Sequence, residues 1–182
     1  IAGLAGAQLF SSPMVNEGGG IHVDGEGTVL CTTTVQLDPG RNPTMNAESV
    51  ETEFKAYLGV SKAIWLPRGL TKDYGRFGTR GHVDICACFV RPGVLLGHRQ
   101  TDPSLPDYEV TSEYIELLRR STDATGRELE LIEVPAPVQT HADGELVDWS
   151  YLNHYICNGA VILCSFDDPN DDVAAGILEG VY

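Results

Sequence analysis

Basic residues are scarce. Lys and Arg number 12 against 26 Asp and Glu, which leaves a formal net charge of −14 over 182 residues. A nucleic-acid binder needs a cationic footprint to neutralise phosphates. Only Arg119 and Arg120 are adjacent here, so no nucleic-acid partner is expected. Long apolar runs are also missing: Ile1 to Phe10 is mildly apolar, too short to span a bilayer and without a basic leader, so no membrane partner is expected either. No Cys-x-x-Cys occurs among Cys31, Cys86, Cys88, Cys157 and Cys164. Cys86 and Cys88, two apart in an apolar run, are expected on one strand face, a poor start for a tetrahedral zinc site. An odd count of apolar-flanked cysteines reads as buried free thiols in a reducing compartment, hence a cytoplasmic protein. No Gly-x-Gly-x-x-Gly follows a strand and opens a helix, so a dinucleotide has no support and no cofactor is expected. The chain lacks an initiating Met, and its first residues look cut from something longer.

What is present is ordinary globular material: 42% apolar residues and 21% charged. The length favours one domain spanning 1–182. Twenty Gly and ten Pro lie mostly between apolar runs and predict many short elements. The acidic balance would steer a cationic substrate inward, and equally serves solubility.

The elements repeat. Residues 21–24 and 28–34 read as a hairpin about the turn Asp24-Gly25-Glu26-Gly27. Asn46 caps a helix with Val50, Phe54, Tyr57 and Leu58 on one face, and Gly59 ends it. Strand 63–66 stops at Pro67. A Gly-rich loop from Arg68 to Gly81 then leads into strand 82–90, a turn at Arg91-Pro92-Gly93 and strand 94–98. A helix bearing Val110, Tyr114, Leu117 and Leu118 follows, then strand 128–134. A third unit begins at Gly159 with strand 160–164 and a helix containing Val173, Ala174, Ile177 and Leu178. The expected fold class is α/β, built from strand–strand–helix–strand units at 17–66, 82–134 and an incomplete 159–182. Repeats of this size need neighbours to cover their apolar faces. An open repeat edge makes self-association an expected partner mode.

The triplet His-Val-Asp occurs twice, as His22-Val23-Asp24 and His82-Val83-Asp84, and places a His and an Asp two apart. In a strand such residues share a face. His82 and Asp84 are the stronger pair, because they stand where a long loop meets a strand, a favoured place for functional groups on a rigid scaffold. Imidazole exchanges protons near pH 7. A carboxylate accepts paired hydrogen bonds from a planar guanidinium or amidinium. The plainer alternative is a surface His beside a turn-capping Asp. A metal half-site is a second rival, with no third or fourth ligand in either neighbourhood. His22 and Asp24 read as structural, Asp24 tying its carboxylate to turn amides. Glu17 precedes three glycines, which allow close approach, so its carboxylate can be aimed into a pocket. Trp65, Phe89, Trp149 and Tyr155 have no basic interleaving and read as core or pocket wall. No nucleophile can be placed.

Several motifs occur in an order similar to that of agmatine deiminases: Glu17-Gly18-Gly19, His22-Val23-Asp24-Gly25-Glu26-Gly27-Thr28, Arg41-Asn42-Pro43, Ile64-Trp65-Leu66, Gly81-His82-Val83-Asp84, Arg91-Pro92-Gly93 and Asp123-Ala124-x-Gly126-Arg127. Tyr151-Leu152-Asn153-His154-Tyr155 with Asn158-Gly159 resembles a later aromatic–Asn segment of that family. The resemblance covers nearly the whole chain and extends to the guanidine-modifying α/β-propeller (pentein) superfamily, bacterial-type peptidylarginine deiminases included. It implies a ring of five strand–strand–helix–strand units, of which this chain would hold about two and a half.

The implied reaction hydrolyses a guanidine to a ureido group and ammonia through a Cys thioester, as in the conversion of agmatine to N-carbamoylputrescine in polyamine biosynthesis. No cofactor and no metal are implied. By the resemblance, His82 is the general acid and base, Asp84 holds the guanidinium nitrogens, and Glu17 sits against imidazole and substrate. The family's early carboxylate and its nucleophilic Cys have no counterpart in 1–182, so the chain resembles a middle fragment that is inactive alone. Two departures bear on specificity. Phe77-Gly78-Thr79-Arg80 replaces the usual carboxylate before Gly81-His82, which places a bulky cation, Arg80, near a site for cations. The loop 143–149 lacks the usual Pro-Arg pair. Peptidylarginine or another guanidine stays open as substrate, as does a non-catalytic relative that binds guanidinium without the nucleophile.

Overall fold

Asp24 organises the first turn. Its Oδ1 accepts the amides of Glu26 and Thr28, both at 2.8 Å, and folds the chain back so that β1 (Ile21–Val23) pairs antiparallel with β2 (Thr28–Thr32). The computed structural model describes residues 1–182, starting with a single helical turn, α1 (Ala2–Ala5). Every residue of β2 is buried. A short helix, α2 (Thr33–Gln36), and then α3 (Ala47–Leu58) carry the chain over to β3 (Lys62–Leu66), which lies parallel to β2. Asn46 and Ser49 form the expected cap reciprocally: each side chain accepts the other residue's amide at 2.9 Å. Val50 and Phe54 pack on Val29, Cys31 and Val60. Tyr57 and Leu58, expected on that face, stay exposed in the last turn of α3, outside the cluster; the Tyr57 hydroxyl donates to the Ser11 carbonyl at 2.6 Å.

The same construction follows. β4 (Ala87–Arg91) and β5 (Val94–Arg99) form an antiparallel hairpin, α4 (Asp107–Arg119) crosses over, and β6 (Glu130–Pro135) returns parallel to β5. A small hairpin of β7 (His141–Ala142) and β8 (Glu145–Leu146) intervenes. A fourth hairpin, β9 (Tyr155–Cys157) with β10 (Ala160–Ile162), turns at Asn158-Gly159 and precedes α5 (Asp171–Val181). The expected strand 160–164 is therefore shorter and has a partner upstream. Tyr155, expected as core or pocket wall, is 66% exposed on this open hairpin. No helix is long and apolar enough to cross a membrane.

Two of the three cores join neighbouring units. The largest cluster joins Leu30, Ile64 and Leu66 of the first sheet to Ala87, Phe89 and Leu95 of the second and to Tyr114 and Leu118 of α4. The next joins Cys88, Leu96 and Val134 of the second sheet to Tyr151, Leu152 and two residues of α5, Ala174 and Leu178. One unit thus buries one face of its sheet against the next, as stacked repeats must, and the first covers its other face with its own α3. The alternation of β4 sends Ala87 and Phe89 to one cluster and Cys88 to the other. Cys86 joins the first cluster from a turn, so the two cysteines do not share a strand face as expected.

Candidate active site

The strand expected from residue 82 starts at Ala87. His82 to Cys86 form a turn, closed by the amides of Cys86 and Ala87 on the Val83 carbonyl, both at 2.9 Å. The reason lies just upstream. Asp73, 3% exposed, sits in a short 3₁₀ helix (Thr71–Tyr74), and its carboxylate accepts the amides of Thr79, Gly81 and His82 at 2.6, 2.8 and 3.0 Å and also the Thr79 hydroxyl. One buried carboxylate thereby satisfies the backbone that presents His82, and the chain cannot enter a sheet until those amides are released. Gly81, at φ 105, completes the bend, and its carbonyl accepts the Thr32 hydroxyl at 2.6 Å.

A second turn fits against the first. Gly18–Gly20 form one 3₁₀ turn, and the Gly19 carbonyl accepts the amides of Val83 and Asp84 at 3.0 and 3.3 Å. A Cβ on Gly19 would stand 2.4 Å from His82 Nδ1 and 2.6 Å from Asp84 Oδ2. Glycine is therefore what lets the two turns meet. The meeting brings Glu17 Oε2 to 3.1 Å from His82 Nε2. An ionised carboxylate only accepts, so this contact requires a proton on Nε2. Burial works against ionisation of Glu17, but Arg41 and His82 outweigh it and hold its pKa below the ordinary carboxylate value.

His82 and Asp84 line a cleft of about 750 Å³, together with Asp73, Asp148, Trp149 and Cys164. Asp84 makes no ion pair; burial, only partly offset by the nearby His82, pushes its pKa up. Asp148 also lacks an ion-pair partner and is pushed up by burial. The Trp149 ring stacks on Phe166 with centroids 4.8 Å apart. The Ser150 hydroxyl donates to the Ile85 carbonyl at 2.8 Å and fastens this wall to the His82 turn. The site can bind a cation, shield it with aromatic surface and exchange a proton with it.

The remaining sequence-derived candidates fall elsewhere. His22 Nδ1 accepts the Phe89 amide at 3.2 Å and stitches β1 to β4, while Asp24 serves its own turn. Arg80 does not line the cleft: at φ 70 its side chain turns away, and its Nε pairs with Asp38 Oδ2 at 2.7 Å. The cysteines divide. Cys31, Cys86 and Cys88 are buried thiols whose pKa burial pushes up, Cys88 to about 12. Cys157 is half-buried, and Cys164 is exposed at the cleft wall, so the expectation of uniformly buried thiols does not hold. No three His, Cys, Asp or Glu side chains converge as metal ligands would. Sequence reasoning missed Asp73, Asp148 and the role of Arg41. Asp73 and Arg41 act across loops whose path no periodicity encodes, although Arg41 stood within a motif.

Comparison with known proteins shows the family of the chain. The family description "Porphyromonas-type peptidyl-arginine deiminase" matches residues 1–182. A candidate agmatine deiminase of Streptomyces avermitilis is 60% identical over 184 residues, covering 100% of this chain and 53% of that protein. The agmatine deiminase of Medicago truncatula is 44% identical, over 95% of this chain and 50% of its own length. The solved agmatine deiminase of Enterococcus faecalis superposes with a TM-score of 0.91 at 32% identity, over 99% of this chain and 53% of that one. The chain thus spans about half the length of the relatives it matches. With a profile that matches throughout and close relatives of one kind, this chain belongs to the family of agmatine deiminases and Porphyromonas-type peptidyl-arginine deiminases.

Proposed function

We propose that this chain supplies the acid–base and cation-binding half of an enzyme that hydrolyses the guanidino group of agmatine to a ureido group and ammonia. The observation that carries the reading is that His82 and an unpaired Asp84 line one cleft while Glu17 holds the His82 ring at 3.1 Å from just outside it. Asp84 holds the guanidinium nitrogens, and Glu17 sits against the imidazole and the substrate. A Cys thiolate outside residues 1–182 attacks the guanidinium carbon. His82 gives a proton to the departing ammonia, which leaves an amidino-thioester. His82 then takes a proton from water as it attacks the same carbon, and the C–S bond breaks to return the thiolate and release the ureide. Attack by sulfur divides one hard displacement into two easier ones.

Agmatine is favoured over peptidylarginine by Asp148. A second unpaired carboxylate in the same cleft suits a substrate with a cation at each end. Arg80, held by Asp38, stays out of that cleft; of the cations that do line it, Lys72 is paired with Glu145 and Arg76 lies over the Phe77 ring. The fold reading follows the repeat. β2 and β5 each pair with a parallel strand after their helix, whereas β10 has α5 but no such strand in this chain. A five-unit ring would place one there. Full-length protein incubated with agmatine and with an arginyl peptide tests the substrate: N-carbamoylputrescine and ammonia from agmatine are expected, with peptide turned over poorly. Peptidylcitrulline as the main product would select the alternative substrate. No ureide from any guanidine would leave the non-catalytic reading.

A further inference from the structure

Glu17 is not free to choose its direction. Its side chain is long and 43% exposed, so an unassisted carboxylate there would spend its time in solvent. Arg41 prevents this. Its Nε–H stands between the two Glu17 oxygens, at 2.9 and 3.0 Å. A second nitrogen donates to Asp38 Oδ2 at 2.9 Å, and the third donates to the Thr79 carbonyl at 2.6 Å. The guanidinium is only 14% exposed and Asp38 only 6%. Asp38 is itself fixed: its Oδ1 accepts the Gly40 amide at 2.7 Å, and its Oδ2 also takes Arg80. Thr79 in turn hangs on Asp73, the residue that shapes the turn carrying His82.

We propose that Arg41 is a positioning residue for the Glu17–His82 pair: one planar cation clamps the carboxylate on one side and the loop that bears the imidazole on the other. The proposal rests on the acid–base role given to His82 above. Only a guanidinium has donors spread in a plane that can meet three acceptors from three segments at once. Lysine keeps the charge and loses the plane. The arrangement also holds Glu17 ionised, in line with its lowered pKa.

The test uses Arg41→Gln and Arg41→Lys, with Arg68→Gln as a charge-matched control at an exposed pair with Glu113. Carbon-13 NMR titration of the Glu17 carboxyl in the chain reads the clamp without any activity. Kinetics of the full-length protein read its consequence. In Arg41→Gln the Glu17 carboxyl titrates at higher pH, the acid limb of the kcat profile moves up with it, and kcat falls about 10²-fold, as for a misplacement of order 1 Å. KM changes little. Arg41→Lys lies between, and Arg68→Gln matches wild type. A Glu17 titration unmoved in both Arg41 variants overturns the proposal, and so does a loss confined to KM. If Arg41→Gln does not fold, the same shift read in Arg41→Lys decides. If wild-type full-length protein makes no ureide, the reaction reading falls, and the carboxyl titration still decides the clamp.

Discussion

Gly18 and Gly19 are neighbours with opposite demands. A Cβ at Gly18 meets nothing within 4 Å, whereas one at Gly19 strikes His82 and Asp84. Gly19→Ala is therefore expected to lower kcat about 10²-fold by displacing both groups, while Gly18→Ala leaves it unchanged. Equal kinetics for the two variants would contradict the assigned meeting of the turns. His82 and Asp84 should fail differently in the full-length protein. His82→Ala removes proton transfer, a contribution of about 10²–10⁴ in rate, and should appear in kcat with KM nearly kept. Asp84→Asn keeps shape and loses the charge facing the guanidinium; losing one partner of such a pair costs about 2–5 kcal/mol, so kcat/KM falls and KM rises. Steady-state kinetics on both variants separates the roles, and indistinguishable defects would argue against them.

Helices and strands were largely legible in the sequence because their apolar periods are local. The α3 cap, the α4 face and the Arg91-Pro92-Gly93 turn follow from spacing alone, and the structure has them. The start of β4 was not legible, because a carboxylate at Asp73 and a carbonyl at Gly19 take the amides that a strand from residue 82 would need. The site was half legible: Glu17, His82 and Asp84 stand beside glycines, whereas Arg41 and Asp73 reach across loops. β5 carries a further consequence. His98 is 2% exposed under Ser150, and burial pushes its imidazole down to about 4 from 6.5. Between those values the unfolded chain binds a proton that the folded chain refuses, so stability rises with pH. The contribution is full above pH 6.5 and lost as pH falls to 4, about 3 kcal/mol in all at ~1.36 kcal/mol per pKa unit. Urea denaturation at several pH values should show a flatter slope for His98→Gln. An unchanged slope would mean that His98 is protonated in the folded state.

At the scale of the molecule, each unit shares its core with the next, and the third has no parallel strand against β10 within these residues. Ring closure predicts that the β10 amides exchange fast with solvent in the isolated chain and become protected in the full-length protein. Equal exchange in both would contradict a five-unit ring. Closure also matters for chemistry, since it would bring the nucleophile over a cleft that already holds His82 and Asp84, with Glu17 against the His82 ring. The most direct test of this division of labour is peptide-mapped mass spectrometry of full-length protein acid-quenched during turnover of agmatine. The account predicts an amidino adduct on one Cys outside residues 1–182, with neither adduct nor ammonia from the 182-residue chain alone. An adduct on Cys164, or ammonia release without any thiol adduct, would contradict it.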